Sequence, residues 1–320
     1  MLRKLSVVLC LFTLLALSAP RAGDFPGKGI TIICTAAPGG GSDALARMLA
    51  QVAEPIFGQS VVVVNKVGGA NAVGLSEGAR ARPDGYTVTM ATVEVVMHPL
   101  LGNVPWKVPD VFKPIMLLNS DPGAVTVRAD SPWKTLGDFL ADAKKRPGEI
   151  KIGCTSPGSI WHICAAALEE ASGTKYNLVP YPGGAAPAVV DLLGGHVDAV
   201  TVSPAEVGPQ VEAGQLRILA VMSDKRDEKF TGVPTMKELG FNVSIGTWRS
   251  FVVPKATPDA VVKVLHDGFK KALEDPKLVE FARNRGLGLD YRNAADFTRM
   301  MGEQEAMFAK IFKAYDLLPK

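Results

Sequence analysis

Ile30-Thr31-Ile32-Ile33-Cys34-Thr35 leads through Ala37-Pro38-Gly39-Gly40-Gly41-Ser42-Asp43 into an amphipathic run carried by Ala44, Leu45, Met48 and Leu49. A short apolar run, a glycine turn and helix-period residues make the strand–turn–helix unit of an α/β fold. The first N–H groups of a helix lack intrahelical partners and lie at the positive end of its dipole. Glycine lets a ligand approach them closely, so such a turn suits a carboxylate or phosphate. The design recurs: Leu178-Val179-Pro180-Tyr181, then Pro182-Gly183-Gly184, then Ala185-Ala186-Pro187 and the apolar positions Ala188, Val189, Leu192 and Leu193. Either turn alone reads equally well as an ordinary connection. The matched pair points to a small anion gripped from two sides.

The same alternation extends outward. Strands are expected at 61–64 and 86–91, with a helix over 72–81 and a short one from Glu94 to just before Pro99. Ile115 to Leu118 and Ala124 to Arg128 read as two strands around a turn at Asp121-Pro122-Gly123. A helix over Lys134 to Lys145, a strand over Ile150 to Cys154 and a helix over 159–171 precede the second glycine turn. Strands at 197–202 and 217–221 then flank a helix near 204–213. Trp248 to Val253 is a strand. Thr257 is the N-cap candidate and Pro258 the first position of a helix to Leu273. Helices near 276–285 and 294–314 finish the chain. This is an α/β pattern with largely parallel sheets, and the length suits two domains. The tail is expected to pack back on the first domain, so the chain crosses twice. The expected division is 23–121 plus 249–320 for one domain and 122–248 for the other.

Arg3 and Lys4 precede an apolar stretch from Leu5 to Leu17, followed by Ser18-Ala19-Pro20-Arg21-Ala22-Gly23. That pattern is a secretory signal peptide, residues 1–22, with cleavage after Ala22 or alternatively Ala19. It places the mature protein in the periplasm. The chain has 35 Lys and Arg against 32 Asp and Glu. Removing Arg3, Lys4 and Arg21 leaves 32 against 32. A neutral chain without a basic patch argues against nucleic-acid partners. Cys34, Cys154 and Cys164 remain, an odd number. Cys34 and Cys154 lie in strand-like runs, as small hydrophobes do. A Cys154–Cys164 bridge is the pairing left open.

Absent motifs narrow the chemistry. No phosphate loop with Gly-Lys-Ser/Thr and no Gly-x-Ser-x-Gly elbow is present. Gly69-Ala70-Asn71-Ala72-Val73-Gly74 lacks the first glycine of a dinucleotide fingerprint and reads as a turn before a helix. His98, His162, His196 and His266 are scattered, so no metal site and no cofactor is expected. Ser159 and His162 share a helix start, but no orienting acid or oxyanion hole accompanies them. An exported hydrolase using this pair is the alternative to a binding protein. Polar residues at strand ends remain: Thr92, Glu94, Ser156, Ser159 and Ser203. Ligands of open α/β sheets bind beyond those ends. Trp161 and Trp248 are candidates for an aromatic wall, or for packing.

Pro38 to Asp43, Asn65-Lys66-Val67-Gly68-Gly69-Ala70, Pro83-Asp84-Gly85-Tyr86-Thr87 and Tyr181 to Ala188 through Asp191-Leu192-Leu193-Gly194-Gly195-His196-Val197-Asp198-Ala199 together resemble the Bug-type extracytoplasmic solute receptors. These are the TctC-like substrate-binding proteins of tripartite tricarboxylate transporters. The resemblance covers essentially the whole mature chain. It implies a two-lobed, type II-like periplasmic binding protein that closes like a Venus flytrap. It also implies a small carboxylate ligand, a membrane permease as partner, and no catalysis. A monomer is expected, and a role in signalling to a membrane sensor stays open beside transport. In the family the loops corresponding to 37–43 and 181–187 grip one carboxylate, partly through water. The candidate ligand-binding set is therefore Ala37, Pro38, Gly39, Gly40, Gly41, Ser42, Asp43, Thr92, Glu94, Ser156, Ser159, Trp161, His162, Tyr181, Gly183, Gly184, Ala185, Ala186, Pro187 and Ser203. Segment 154–164 and Trp248-Arg249-Ser250-Phe251 depart from the usual pattern where ligand side groups would be read. Trp161 favours a planar carboxylate; a dicarboxylate held by His162 or the Ser156–Ser159 N–H groups is the other option.

Overall fold

A computed structural model describes residues 25–182, 184–314 and 318. The signal peptide assigned to residues 1–22 lies outside them. The chain runs β1 (Ile30–Cys34), α1 (Gly41–Phe57), β2 (Val61–Asn65), α2 (Ala72–Ala79), β3 (Thr87–Thr92), α3 (Glu94–Leu100), α4 (Val108–Val111) and β4 (Phe112–Arg128). It continues α5 (Leu136–Lys145), β5 (Lys151–Thr155), α6 (Ile160–Ser172), β6 (Asn177–Tyr181), α7 (Ala185–Leu193), β7 (Ala199–Val202), α8 (Pro204–Glu212) and β8 (Leu216–Met222). The return is β9 (Gly246–Pro254), α9 (Asp259–Leu273), α10 (Pro276–Arg285), β10 (Leu289–Asn293) and α11 (Ala294–Ala314).

The molecule is two-lobed, and one long strand joins the halves. β1 pairs in parallel with β2 and β3, and β3 meets β9 antiparallel. In the other half β5 pairs in parallel with β6 and β7. β4 belongs to both sheets: its first part pairs with β9 and β10, its second with β7 and β8. The expected break at Asp121-Pro122-Gly123 does not occur. Gly246 faces Pro122, where a Cβ would stand 2.2 Å from the Asp121 carbonyl oxygen. The Gly123 N–H finds the Ile245 carbonyl at 2.9 Å. A bare glycine opposite the proline lets the strand run straight through. β4 and β9 therefore form a paired two-stranded ribbon between the lobes.

Ile30, Ile32, Leu45, Leu49, Phe251 and Phe269 form one core on the first sheet. A second core holds Phe139, Ile152, Leu168, Leu192 and Val200 and continues to Ala91, Leu117 and Val252 of the first sheet. α1 buries Leu45, Ala46, Leu49, Ala50 and Ala53, which its 3.6-residue period brings to one face. Thr135 caps α5, which begins two residues inside the start expected at Lys134: the Thr135 hydroxyl takes the Asp138 N–H at 3.1 Å and Asp138 takes the Thr135 N–H at 2.9 Å. Thr257 is not the cap of α9; its hydroxyl donates to the Pro254 carbonyl at 2.8 Å and Pro258 takes the cap position. β10 was absent from the sequence reading because Leu289–Asn293 is short and mostly polar. Cys34, Cys154 and Cys164 are all free and buried, so the Cys154–Cys164 bridge is not formed. Burial pushes the Cys154 thiol up to about 12.

Candidate functional site

The turns after β1 and β6 meet at one cavity of about 540 Å³. Ala37, Pro38, Gly39, Gly40, Gly41 and Ser42 line it from the first lobe; Gly184, Ala185 and Ala186 line it from the second. Thr92, Glu94, Ser156, Ser159 and Trp161 complete the expected residues found there. Neither α1, capped at Gly40, nor α7, capped at Gly184, has a side-chain cap. Their terminal N–H groups stay available to something in the cavity. Gly184 has φ +96°, a conformation L side chains rarely adopt.

The first turn is braced by Asp43. Its carboxylate takes the Gly39 N–H at 3.0 Å, Asn65 Nδ2 at 2.8 Å and Arg47 Nη2 at 2.9 Å. Burial opposes its ionisation, yet Arg47, Gly39 and Asn65 outweigh that and hold the carboxyl below its usual range. Asp43 thus shapes the loop and does not line the cavity. Beside it Arg249, buried, donates from Nε to Ser42 Oγ at 2.7 Å. Its Nη1 meets Asn119 Oδ1 at 3.3 Å and forms an ion pair with Asp121. Asp121 in turn accepts the Gly288 N–H at 3.0 Å. Arg249 lines the cavity as well.

Four more expected residues stand off the cavity. The Tyr181 hydroxyl donates to Asp191 at 2.6 Å, and burial with Asp191 raises it to about 12. Pro187 lies one position beyond the lining part of α7. Ser203 serves α8: its N–H donates to Glu206 Oε2 at 3.1 Å. His162 turns back to the loop, where Nδ1 accepts the Gly158 N–H at 3.3 Å. Burial lowers its pKa, which disfavours the cation that a second ligand carboxylate would need. Gly183 lies outside the described residues. Trp248 is core: it is buried, packs edge-on against Phe297 and donates to Gln304. Ser159 donates to the Ser156 carbonyl at 2.6 Å and pairs with Thr155. Both Ser159 and His162 are engaged elsewhere, so they make no nucleophile–base pair.

Residues that the sequence reading missed fill the remaining wall. Val67, Gly68, Ala70 and Asn71 come from the turn before α2. Gly68, Gly69, Ala70 and Asn71 all have positive φ, at 130°, 55°, 51° and 79°. Asn71 Nδ2 donates to Thr92 Oγ1 at 3.0 Å. Two non-glycine residues in this region mark stored strain. The run Gly68-Gly69-Ala70-Asn71 was the available signal. α8 adds Ala205, Glu206, Pro209 and Gln210, and α10 adds Arg285 at its end. Burial pushes the Glu206 carboxyl up to about 7, against the pull of Arg249 and the Ser203 N–H.

Comparison with known proteins agrees with this architecture. The family model described as "Tripartite tricarboxylate transporter family receptor" matches residues 45–317. A UPF0065 protein in the gbd 5′ region of Cupriavidus necator is 33% identical over 285 residues, covering 88% of this chain and 86% of its own length. The solved periplasmic binding protein BugD is 30% identical with a TM-score of 0.85, covering 92% of this chain and all of BugD. The structure of R. palustris Rpa4515 with adipate is 26% identical with a TM-score of 0.87, covering 93% of this chain and all of that one.

Proposed function

The chain belongs to the tripartite tricarboxylate transporter receptors, and from that premise we propose that it captures a small organic carboxylate between its lobes and hands it to the membrane permease of such a transporter. It acts as a monomer in the periplasm after losing residues 1–22. The observation that carries the reading is the pair of uncapped glycine turns, at α1 and α7, opening on one cavity from opposite lobes. Backbone N–H groups at two helix ends suit one carboxylate. The adipate in the R. palustris relative supports a carboxylate ligand here. We take residues 23–121 with 249–320 as one lobe and 122–248 as the other, with the β4–β9 ribbon as the hinge. A ligand touching both turns favours the closed state through contacts made only there. Small-angle scattering tests this: a bound carboxylate reduces the radius of gyration. Proven binding with no change in shape contradicts hinge closure.

A further inference from the structure

Helix bonding in α1 begins at Ala44, whose N–H reaches the Gly40 carbonyl at 3.0 Å. The N–H groups of Gly41, Ser42 and Asp43 therefore lack intrahelical partners where the first turn opens on the cavity. A side-chain donor stands beside them. Arg249, 2% exposed, comes from β9 and lines the same cavity as Gly41, Ser42 and Leu287. Two of its nitrogens are spent on the chain, Nε on Ser42 Oγ and Nη1 on Asn119 and Asp121. The third, Nη2, makes no hydrogen bond among the described residues. Asn119 Nδ2 is closed off without a partner, whereas Nη2 is not closed off. A Cβ at residue 41 would stand 2.8 Å from Nη2 and 3.5 Å from the guanidinium carbon. The bare glycine is what lets the guanidinium reach the turn.

Native proteins seldom leave a buried donor unpaired unless water or a bound group takes it. Asp121 is already engaged by Nη1 and by the Gly288 N–H at 3.0 Å. Glu206, the competing anion on α8, holds the Ser203 N–H with Oε2 at 3.1 Å. We propose that Arg249 touches the ligand and sets its specificity: Nη2 donates to the carboxylate in the first glycine turn. A charge-assisted side-chain bond makes the site demand an ionised acid, where backbone N–H groups alone would also accept a neutral carbonyl. The proposal rests on the carboxylate reading above.

Titration calorimetry with succinate, adipate, citrate and benzoate, then with the full amide of the tightest binder, tests it. Wild type prefers the acid at least about tenfold. Arg249→Lys keeps a cation for Asp121 but has no second nitrogen for the turn, so this preference falls at least about tenfold. An Arg249 that only braced the turn would weaken acid and amide alike. A preference that changes less in Arg249→Lys therefore overturns the assignment and leaves the carboxylate reading standing. A smaller preference in wild type, or no binding by any of the four acids at about 10 mM, brings down both readings. If the variant misfolds or the amide binds too weakly to measure, a crystal structure of wild type with the tightest acid decides. A carboxylate oxygen within about 3.2 Å of Nη2 supports the contact; Nη2 on Glu206 or on water alone overturns it.

Discussion

The two glycine turns look alike in sequence and are held very differently. The turn after β1 is tied by Asp43 to Gly39, Asn65 and Arg47, and by Ser42 to Arg249. Arg249 continues to Asn119 and Asp121 on β4. The turn after β6 has the Tyr181–Asp191 bond behind it and the Gly184 N–H on the Tyr181 carbonyl at 3.1 Å. The strand–turn–helix pattern sets where N–H groups point; the neighbours set how firmly. Among the described residues the first turn is wired to the β4–β9 ribbon, whereas the second shows only the Tyr181 bonds and the unusual backbone of Gly184. A firmly held turn and a less braced one would suit the closure proposed above.

The wiring breaks most severely at Arg249. Arg249→Met leaves Asp121 buried without its cation, a change that costs about 3–5 kcal/mol. Urea unfolding should show that loss, together with weakened binding. A stability within 1 kcal/mol of wild type, roughly the scale of ordinary point mutations, would sink the claim that the ion pair fixes the first turn.

Glu206 probes the same network through pH. Its carboxyl titrates near 7 in the folded protein and, once unfolded, at the ordinary glutamate value near 4.3. The folded state then holds the proton more tightly, so this contribution to stability is full below about pH 4 and is lost as pH rises through 7. The expected size is on the order of 3–4 kcal/mol. Glu206 also faces the ligand's cavity, so carboxylate affinity should fall from pH 6 to pH 8. Glu206→Gln should flatten both profiles. Unchanged profiles in that variant would remove Glu206 from the account.

The glycines separate the two turns most finely. Gly40 has φ −76°, and a Cβ there would meet nothing nearer than the Ala37 carbonyl oxygen at 3.7 Å. Gly40→Val should therefore fold normally and lose binding at least tenfold, because its side chain occupies ligand space. Gly184→Val should lose binding and also about 1–3 kcal/mol of stability, because φ +96° with ψ −165° is a region essentially reserved for glycine. Equal melting temperatures for the two variants would erase the distinction drawn between them.

Most elements were legible because hydrophobic period, glycine and proline are local signals. β1, α1, β6 and α7 fall where the pattern placed them. The break expected at Asp121-Pro122-Gly123 failed because Gly246, far away in sequence, sits against the proline. The site divided along the same line. Residues contributed through backbone N–H groups at the glycine turns were readable. Tyr181, Ser203 and His162 looked available until their partners Asp191, Glu206 and Gly158 came into view. Arg249 stood in a segment expected to read the ligand, but its pairing with Asp121 was not legible; Gln210 was invisible as a site residue, since only the packing of α8 brings it to the cavity.

If backbone N–H groups of two helix ends hold the ligand carboxylate, esterifying that carboxylate must cost affinity. Titration calorimetry of the tightest-binding carboxylate against its methyl ester addresses it directly. Each hydrogen bond to a charged group is worth about 1.5–3 kcal/mol, so the ester should bind at least tenfold more weakly. Equal affinities for acid and ester would contradict the account.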